Sequence, residues 1–364
     1  MRALNELVVV QAKSKVKAGE GLACGTYKFF TSSNIQSKWL NEYQYDKPAL
    51  IFGTGGMPSI HYCETPFSTS TDCIVMYAKE GTNLQVIYRY LSANMHLLEE
   101  GFHGIGLQHI SKKYLLDIEI PELDEANQEA VTEIANKIDV LISARRKQLA
   151  KLDQLVKSRF IELFGDPDTN PLGWNEDVLS EHLEVIGGYA FKSDKFVDKG
   201  IPVLRIGNIN SGRFLPVNMV YWTDDPTLER YKMYPGDLVM SLTGTVGKDD
   251  YGNVCILGAD HPEYYLNQRN AKLSLKPTLN AKYLSELLKF ERIKRRLTGI
   301  SRGVRQANIS NKDILYLCVP IAPINLQQQF AAFVEQTDKS KLAIQQSLDK
   351  LELLKKSLMQ EYFG

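Results

Sequence analysis

One internal repeat constrains this chain more than any other feature. Residues 104–165 align without a gap on residues 303–364 at a constant offset of 199 positions, and 18 of the 62 aligned residues are identical. Solenoid repeats are far shorter, so this period indicates a duplicated unit of one domain followed by one helix. We therefore expect two similar domains, each followed by its own copy of the helix, and a target that has two parts.

Two kinds of segment alternate along the sequence. Residues 1–123 and 166–322 contain short apolar runs such as Ala49-Leu50-Ile51-Phe52, separated by Gly, Ser and Thr, and these predict strands and turns. Residues 125–164 and 325–363 contain neither Gly nor Pro and predict helices. The predicted fold class is α+β, with one domain at 1–123, a long helix at 124–165, a second domain at 166–322 and a second long helix at 323–364.

Each predicted helix carries an apolar stripe at spacings of three and four residues. The stripe residues are Val131, Ile134, Ile138, Leu141, Leu152 and Leu155 in the first helix, and Phe330, Phe333, Ile344, Leu348, Leu351 and Leu358 in the second. A helix of about 38 residues is about 57 Å long, so its stripe needs an extended partner. The two copies are expected to pair about a pseudo-twofold axis as an antiparallel coiled coil, whose length then sets the distance between the domains. The alternative is that each helix packs only on its own domain.

The composition excludes several classes of protein. The 43 basic residues balance the 43 acidic residues, which counts against a nonspecific nucleic-acid coat but leaves local basic patches open. The five cysteines lack a Cys-x-x-Cys pair and predict neither a disulfide framework nor a zinc site. No stretch reaches the roughly 18 apolar residues that span a bilayer, and the N-terminal residues lack the apolar core of a signal peptide. We expect a cytoplasmic protein that does not bind a membrane.

The sequence lacks the motifs of common enzymes. Ser241–Lys248 resembles a phosphate-binding loop, but Leu242 replaces the first required Gly, and Asp249 follows the Lys where Ser or Thr is needed. We find no His-Glu-x-x-His, no His/Cys cluster and no Gly-x-Ser-x-Gly. The Asn-Pro-Pro-Tyr type of tetrapeptide that amino-methyltransferases use is also missing. We expect a binding protein with no catalytic residues, no metal ligands and no cofactor of its own.

Loops of the second domain carry side chains that suit DNA. Arg and Lys bind phosphates, and Arg, Asn and Gln can form paired hydrogen bonds with base edges. The candidates are Tyr189, Phe191, Lys192, Arg205, Asn208, Thr243, Thr245, Lys248, Asn267, Gln268, Arg269, Arg302, Arg305 and Gln306. Arg302 and Arg305 follow a basic helix end in a Gly-containing loop, which favours DNA contact. The alternative for the helix end is a solvated face, and for the other loops it is ordinary turn chemistry.

The first domain offers weaker and mostly uncharged candidates. They are Thr31, Ser32, Asn34, Thr54, Ser70, His103 and Gln108. The local basic run of Lys13, Lys15 and Lys17 is more typical of a solvated face. We therefore expect the first domain to present a less charged surface than the second.

Several motifs together resemble one known family. Phe164-Gly165-Asp166-Pro167, which is followed by Gly173-Trp174, resembles the junction between helix and domain in specificity subunits of type I restriction-modification systems. The segments Pro235–Ser241, Thr243–Gly247 and Gln306–Ser310 are similar to other marks of the target recognition domains of that family. The resemblance covers essentially the whole chain, in the order domain, helix, domain, helix.

The resemblance implies a function. Each target recognition domain would read one half of a split double-stranded DNA sequence, and the helices would separate the halves and dock methyltransferase subunits, two in number. S-adenosylmethionine, ATP and Mg²⁺ are expected on partner subunits, and a restriction or motor subunit would cut DNA. Two alternatives remain open: an enzyme chain related to methyltransferases or nucleases, and a coiled-coil scaffold with no role on nucleic acid.

The first domain departs from the family pattern. It is shorter than the second, and no Gly-Trp entry like Gly173-Trp174 precedes it. It is therefore either a compact recognition domain or part of a truncated or rearranged form.

Overall fold

The chain forms two compact units. The computed structural model describes residues 1–104, 106, 108–248, 250–299 and 306–364, with Gln306 described in its backbone alone. The first unit comprises Met1–Lys147 and Gln345–Gly364, and the second comprises Gln148–Ile344. The division falls inside both long helices, so each unit contains one domain and a part of each helix.

The first unit contains two main sheets and short helices. Its strands are β1 (Arg2–Ala3), β2 (Val8–Val10), β3 (Tyr27–Phe30), β4 (Lys38–Leu40), β5 (Ala49–Gly53), β6 (Ser59–Cys63), β7 (Phe67–Thr69), β8 (Cys73–Ala78), β9 (Phe102–His103), β10 (His109–Ile110) and β11 (Glu119–Ile120). Its helices are α1 (Leu4–Leu7), α2 (Leu84–Ala93), α3 (His96–Glu99) and α4 (Lys112–Asp117), and α5 (Glu125–Phe164) begins in it. An antiparallel sheet has the order β2-β8-β5-β6, and a second has the order β4-β3-β7, in which β3 and β7 are parallel.

The second unit holds the remaining elements. Its strands are β12 (Glu176–Val178), β13 (Leu183–Gly187), β14 (Ile201–Leu204), β15 (Val220–Trp222), β16 (Lys232–Met233), β17 (Leu238–Ser241), β18 (Thr243–Thr245), β19 (Val254–Ile256), β20 (Tyr264–Leu266), β21 (Asn270–Leu275), β22 (Gln306–Asn308) and β23 (Cys318–Pro320). Its helices are α6 (Ala281–Leu287), α7 (Glu291–Thr298) and α8 (Asn311–Leu315), and α9 (Ile324–Phe363) begins in it. The chain turns at Leu288–Phe290, between α6 and α7.

Both units have the same sheet topology. The order β13-β21-β17-β19 repeats the order β2-β8-β5-β6, and the parallel pair β14/β20 repeats the pair β3/β7. The second unit adds β16 at the edge of its sheet next to β20, and the described residues of the first unit form no matching strand. The shorter first domain therefore retains both sheets, with shorter connections between their strands.

The sequence repeat produces the same local hydrogen bonds in each unit. The Gln128 Nε2 atom donates to the Leu123 carbonyl at 2.8 Å, and Gln327 Nε2 donates to the Ala322 carbonyl at 2.7 Å, in each case at the entry of a long helix. Both residue pairs are related by the 199-residue offset. The conserved offset thus corresponds to a duplicated structure and not only to a duplicated composition.

The two long helices pack against each other in antiparallel fashion within each unit. In the first unit Lys355 Nζ donates to Asp139 Oδ1 at 2.7 Å, and Arg146 lies 2.8 Å from Glu352. In the second unit Lys341 Nζ lies 2.7 Å from Asp153 Oδ1. Positions along α9 fall as positions along α5 rise, which confirms the predicted α+β fold with two long antiparallel helices.

At three positions of α5 the buried residue is the one that follows the predicted stripe residue. Ile134, Leu141 and Leu155 are 40%, 47% and 48% exposed, so their assignment to the buried helix seam is wrong. The residues one position later, Ala135, Ile142 and Val156, are buried instead. One residue turns a helix by about 100°, and the small Ala135 gives little apolar signal.

Most other stripe residues lie on the packed face. Val131, Ile138, Phe330, Leu348 and Leu358 are buried, and Leu152, Phe333, Ile344 and Leu351 are half-buried. In the second unit the Phe160 and Phe330 ring centroids are 5.4 Å apart at right angles, and Phe160 stacks on Tyr283. This aromatic cluster joins both helices to the domain core of that unit.

Candidate nucleic-acid interface

Backbone hydrogen bonds in the second unit join the loop after β13 to the turn before β21. The Tyr189 N–H donates to the Leu266 carbonyl and the Gln268 N–H donates to the Tyr189 carbonyl, each at 2.9 Å. A Cβ atom on Gly188 would lie 2.1 Å from the Asn267 carbonyl oxygen, so only glycine allows this approach. Tyr189 and Gln268 are consequently held side by side.

The same turn is hydrogen-bonded to the β18/β22 ribbon. The Leu242 N–H donates to the Arg269 carbonyl, and the Ile309 N–H donates to the Leu242 carbonyl, both at 2.8 Å. Thr243 and Thr245 then pair with Asn308 and Gln306 in antiparallel register. Two segments that are far apart in sequence therefore lie next to the turn that carries Gln268 and Arg269.

The buried side chain of Asn270 joins a fourth segment, which contains Arg205, to the same turn. Asn270 is fully buried, and its Nδ2 atom donates to the Leu204 carbonyl at 2.7 Å, directly before Arg205. We call the exposed predicted residues on these joined segments the second-unit surface. They are Tyr189, Lys192, Arg205, Thr245, Lys248, Gln268 and Arg269; Thr243 and Asn267 are half-buried beside them.

The cations of the second-unit surface have no acidic partner among the described residues. Lys192, Arg205, Lys248 and Arg269 form no ion pair with any described residue, and Arg205 Nη2 contacts only a backbone carbonyl, that of Asn218. By contrast, Lys232 lies within 3.2 Å of three carboxylates. Unpaired exposed cations on a shared surface are suited to bind an anionic ligand such as a phosphate backbone.

Two predicted contacts of this unit are wrong because the side chains are buried. Phe191 is 8% exposed and packs on Trp222 and Tyr265 at centroid distances of 5.1 and 5.4 Å. Asn208 is 3% exposed, and its Nδ2 atom donates to the carbonyls of Leu215 and Val217, each at 2.9 Å. Asn208 therefore holds the loop that follows Arg205 and has no donor left for a ligand.

Only part of the basic segment around the end of α7 lies in the described residues. Arg302 and Arg305 lie outside the described residues, as does the side chain of Gln306, so those predictions stay predictions. Within α7, Arg296 Nη1 donates to the Cys318 carbonyl at 3.0 Å, and Lys294 Nζ donates to Asn253 Oδ1 at 2.8 Å. These contacts favour a structural role for that part of the helix.

An equivalent network exists in the first unit. The Thr54 N–H donates to the Asp72 carbonyl at 2.9 Å, and the Ile110 N–H donates to the Thr54 carbonyl at 3.2 Å. Ser32 Oγ donates to the same Asp72 carbonyl at 2.7 Å, and the Gly56 N–H donates to the Gln108 carbonyl at 3.2 Å. The structure thus brings Ser32, Thr54 and Gln108, three of the predicted residues, to one place.

The other predictions for the first unit have different outcomes. Ser70 is fully buried, where its hydroxyl accepts from the Asp72 N–H at 3.3 Å, so its prediction as a DNA contact is wrong. Asn34 and His103 are exposed, and Thr31 is half-buried. Their assignment as DNA contacts stays a prediction.

The basic run of the first unit lies beside this network. The Thr71 N–H donates to the Val16 carbonyl at 2.8 Å, which places Lys15 and Lys17 beside the network. Both lysines are exposed. Their spacing alone is typical of a solvated face, and only the contact with a turn more than 50 residues later indicates a shared surface.

The described residues hold no obvious metal site or membrane segment. In that part of the chain, no group of three or more His, Cys, Asp or Glu side chains is arranged to hold a metal ion. Among the same residues, no helix combines the length and apolar character needed to cross a bilayer.

The chain matches a known protein family over most of its length. The family model of the type I restriction modification DNA specificity domain matches residues 1–154 and 171–354. The chain belongs to this family. It is 23% identical over 291 residues to the type I restriction enzyme MjaVIII specificity subunit of Methanocaldococcus jannaschii, an alignment that covers 75% of this chain and 68% of that relative.

Solved structures have the same fold. The S subunit of a type I restriction-modification system from M. genitalium superposes with a TM-score of 0.66 at 15% identity, covering 100% of this chain and 95% of that one. A chain from a structure concerned with complex assembly and conformational transition of the type I R-M system gives a TM-score of 0.50 at 14% identity, with 100% and 96% coverage. The structural likeness shows the fold, and the family match identifies the chain as a specificity subunit of the type I restriction-modification kind, a non-catalytic family.

Proposed function

We propose that this chain selects the DNA sequence for a type I restriction-modification complex by binding a two-part duplex target. The observation that supports this most strongly is the repeated hydrogen-bond network. The same backbone contacts occur around Thr54 in the first unit and Leu242 in the second, while the exposed side chains around them differ. One scaffold with two sets of side chains is suited to recognise two different half-sites.

The residues of the second-unit surface are suited to two kinds of DNA contact. Lys192 and Lys248 are compact cations that form no ion pair among the described residues, which suits phosphate contacts that position the chain without reading sequence. Gln268 and Arg269 have the planar groups that form paired hydrogen bonds with base edges in the major groove. Lys15 and Lys17 supply the corresponding cations in the first unit.

Exposed apolar residues of the long helices support docking of partner subunits. In the first unit Val140 of α5 is 68% exposed and Leu353 of α9 is 65% exposed, and Leu141 and Leu354 are also exposed. Large apolar side chains on a helix that already has a buried face are suited to cover a second surface. We assign them to the methyltransferase subunits, expected to be two.

Under this proposal the partner subunits carry out methyl transfer and DNA cleavage. S-adenosylmethionine is expected on the methyltransferase subunits, and ATP and Mg²⁺ on the partner subunits of the complex, where a restriction or motor subunit cuts DNA. This chain contributes binding, orientation and spacing in the cytoplasm.

Labelled methyl transfer tests the proposal. We expect the purified chain, incubated with duplex DNA and labelled S-adenosylmethionine, to transfer no methyl group alone and to direct transfer when its methyltransferase subunit is added. Transfer by the chain alone would favour the enzyme alternative. If the chain neither shifts DNA in a gel at low salt nor alters transfer by the partner, the scaffold alternative is correct.

A further inference from the structure

Two residues of opposite charge occupy the same position in the two networks. Asp72 precedes β8 and Arg269 precedes β21, and β8 and β21 are equivalent strands in the shared sheet order. The Asp72 carbonyl accepts from Thr54 N–H at 2.9 Å, as the Arg269 carbonyl accepts from Leu242 N–H at 2.8 Å. The backbone of each residue is therefore fixed by the same contact within its own unit.

The sheet registers support this equivalence independently. Gly53 of β5 pairs with Cys73, the residue after Asp72, and Ser241 of β17 pairs with Asn270, the residue after Arg269. Each following residue also bonds to the parallel strand of the second sheet. Cys73 Sγ contacts the Phe30 carbonyl at 3.7 Å, and Asn270 Nδ2 contacts the Leu204 carbonyl at 2.7 Å.

Both side chains are exposed and have no partner among the described residues. Asp72 and Arg269 are exposed, and within the described residues neither the carboxylate nor the guanidinium forms a hydrogen bond or ion pair. In the described part of the chain neither charged group therefore has a structural contact, although each lies on a backbone that the fold holds in place.

The negative charge of Asp72 limits the contacts that its side chain can form with DNA. A carboxylate is repelled by phosphates, so the sequence-independent contact that suits Arg or Lys is closed to it. On a DNA surface, Asp is stabilised as an acceptor from the cytosine N4 amino group. Arg269 at the equivalent position has a matching base contact, in which the guanidinium donates to guanine O6 and N7.

We propose that Asp72 and Arg269 are equivalent base-reading residues, with Asp72 selecting cytosine in one half-site and Arg269 selecting guanine in the other. This inference rests on the proposed function and assigns one base to each half. Asp72 was missed from the sequence because a single acidic residue carries no signal for DNA binding.

Selection from DNA pools tests the inference. The complex of the chain with its methyltransferase subunit is incubated with pools in which one half-site is randomised, and the bound DNA is sequenced. The wild type is expected to require cytosine at one position of one half-site and guanine at one position of the other. D72N should change the first to adenine and R269Q the second to adenine, because Asn and Gln pair with adenine. The expected change in preference is roughly 5- to 150-fold at that position.

The internal control is the half-site of the other unit, whose selected sequence should stay the same in each variant and so reports a folded complex. E80Q removes an exposed carboxylate beyond the opposite end of β8 and should leave both half-sites unchanged. The inference is overturned if D72N and R269Q select the wild-type bases. If the wild type selects no two-part sequence at all, the proposed function is wrong, and the inference fails with it.

Discussion

At the residue scale, one ion pair anchors the helix α2 to α5 in the first unit. The Arg89 side chain is 7% exposed and pairs with Asp139, which also accepts from Lys355 Nζ at 2.7 Å. Burial raises the pKa of Asp139, but the hydrogen bonds from Lys355 and Arg89 together outweigh burial and lower it. Because the pKa is lowered in the folded state, the stabilisation is fully present above the ordinary carboxyl pKa of about 3.9 and is lost as the pH falls below that value and through the lower pKa of the folded state.

We expect D139N to destabilise the first unit by about 2 kcal/mol, because it leaves a buried guanidinium without a countercharge. Hydrogen exchange of the α2 amides would measure this as faster local opening. The control is D338N at the repeat-equivalent position, where Asp338 pairs with Lys282, a cation that is 24% exposed against 7% for Arg89. That variant should cost less than about 1 kcal/mol in the second unit. Equal protection of α2 in wild type and D139N would contradict the assignment.

The lysines of the second-unit surface give a second prediction. K192Q combined with K248Q should weaken DNA binding by the complex evenly across sequences, because phosphate contacts carry no base information. The slope of log K against log salt should become shallower by about two, since each phosphate contact contributes about 0.9. K276Q, just beyond the far end of β21, is the control and should keep the wild-type slope. A double variant with the wild-type slope would exclude both lysines from phosphate contact.

Exposure of single residues was only partly predictable. Lys192, Gln268 and Arg269 lie in loops with polar neighbours, and the sequence correctly indicated an exposed position. Phe191 and Asn208 lie in similar loops, but their burial depends on Trp222, Tyr265 and the 215–217 backbone, which fold over them. Local pattern carries no information on such contacts.

At the element scale, the helices were the most predictable part of the chain. The absence of Gly and Pro and the apolar spacing predicted helices close to Glu125–Phe164 and Ile324–Phe363. The sequence was a weaker guide to which face of each helix is buried. The apolar residues of α5 lie on two adjacent faces, and the face that is buried includes the small Ala135. Ile134 and Leu141, which were assigned to the seam, face outward and are available to a partner.

Matched shortening of the helices tests whether they set the spacing of the target. Residues 144–150 of α5 and 344–350 of α9 can be deleted together, which keeps Asp139 opposite Lys355 and Asp153 opposite Lys341. Seven helical residues span about 10.5 Å, and DNA rises about 3.4 Å per base pair. We expect the gap between the half-sites to shorten by about three base pairs, with both half-sites unchanged. An unaltered gap would contradict a ruler role for the helices.

At the scale of the whole molecule, duplication explains why so much could be anticipated. The 199-residue offset predicted two domains of one topology, and the two sheet orders agree with it. The sequence could not indicate where along the two helices the division between the units falls, because this depends on packing between residues more than 200 positions apart, such as Arg146 and Glu352. It also could not show that Asp72 and Arg269 occupy one position, because the repeat is recognisable only from Gly104 onward.

The most direct test of the account is the pattern of methylated bases in the genome of cells that express this chain with its methyltransferase subunit. We predict methylation within one two-part sequence, with two short specific halves separated by a gap of fixed length. Cells with the subunit but without this chain should lack that pattern. Methylation in a single uninterrupted sequence, or the same pattern without this chain, would contradict the claim that its two units each select one half of the target.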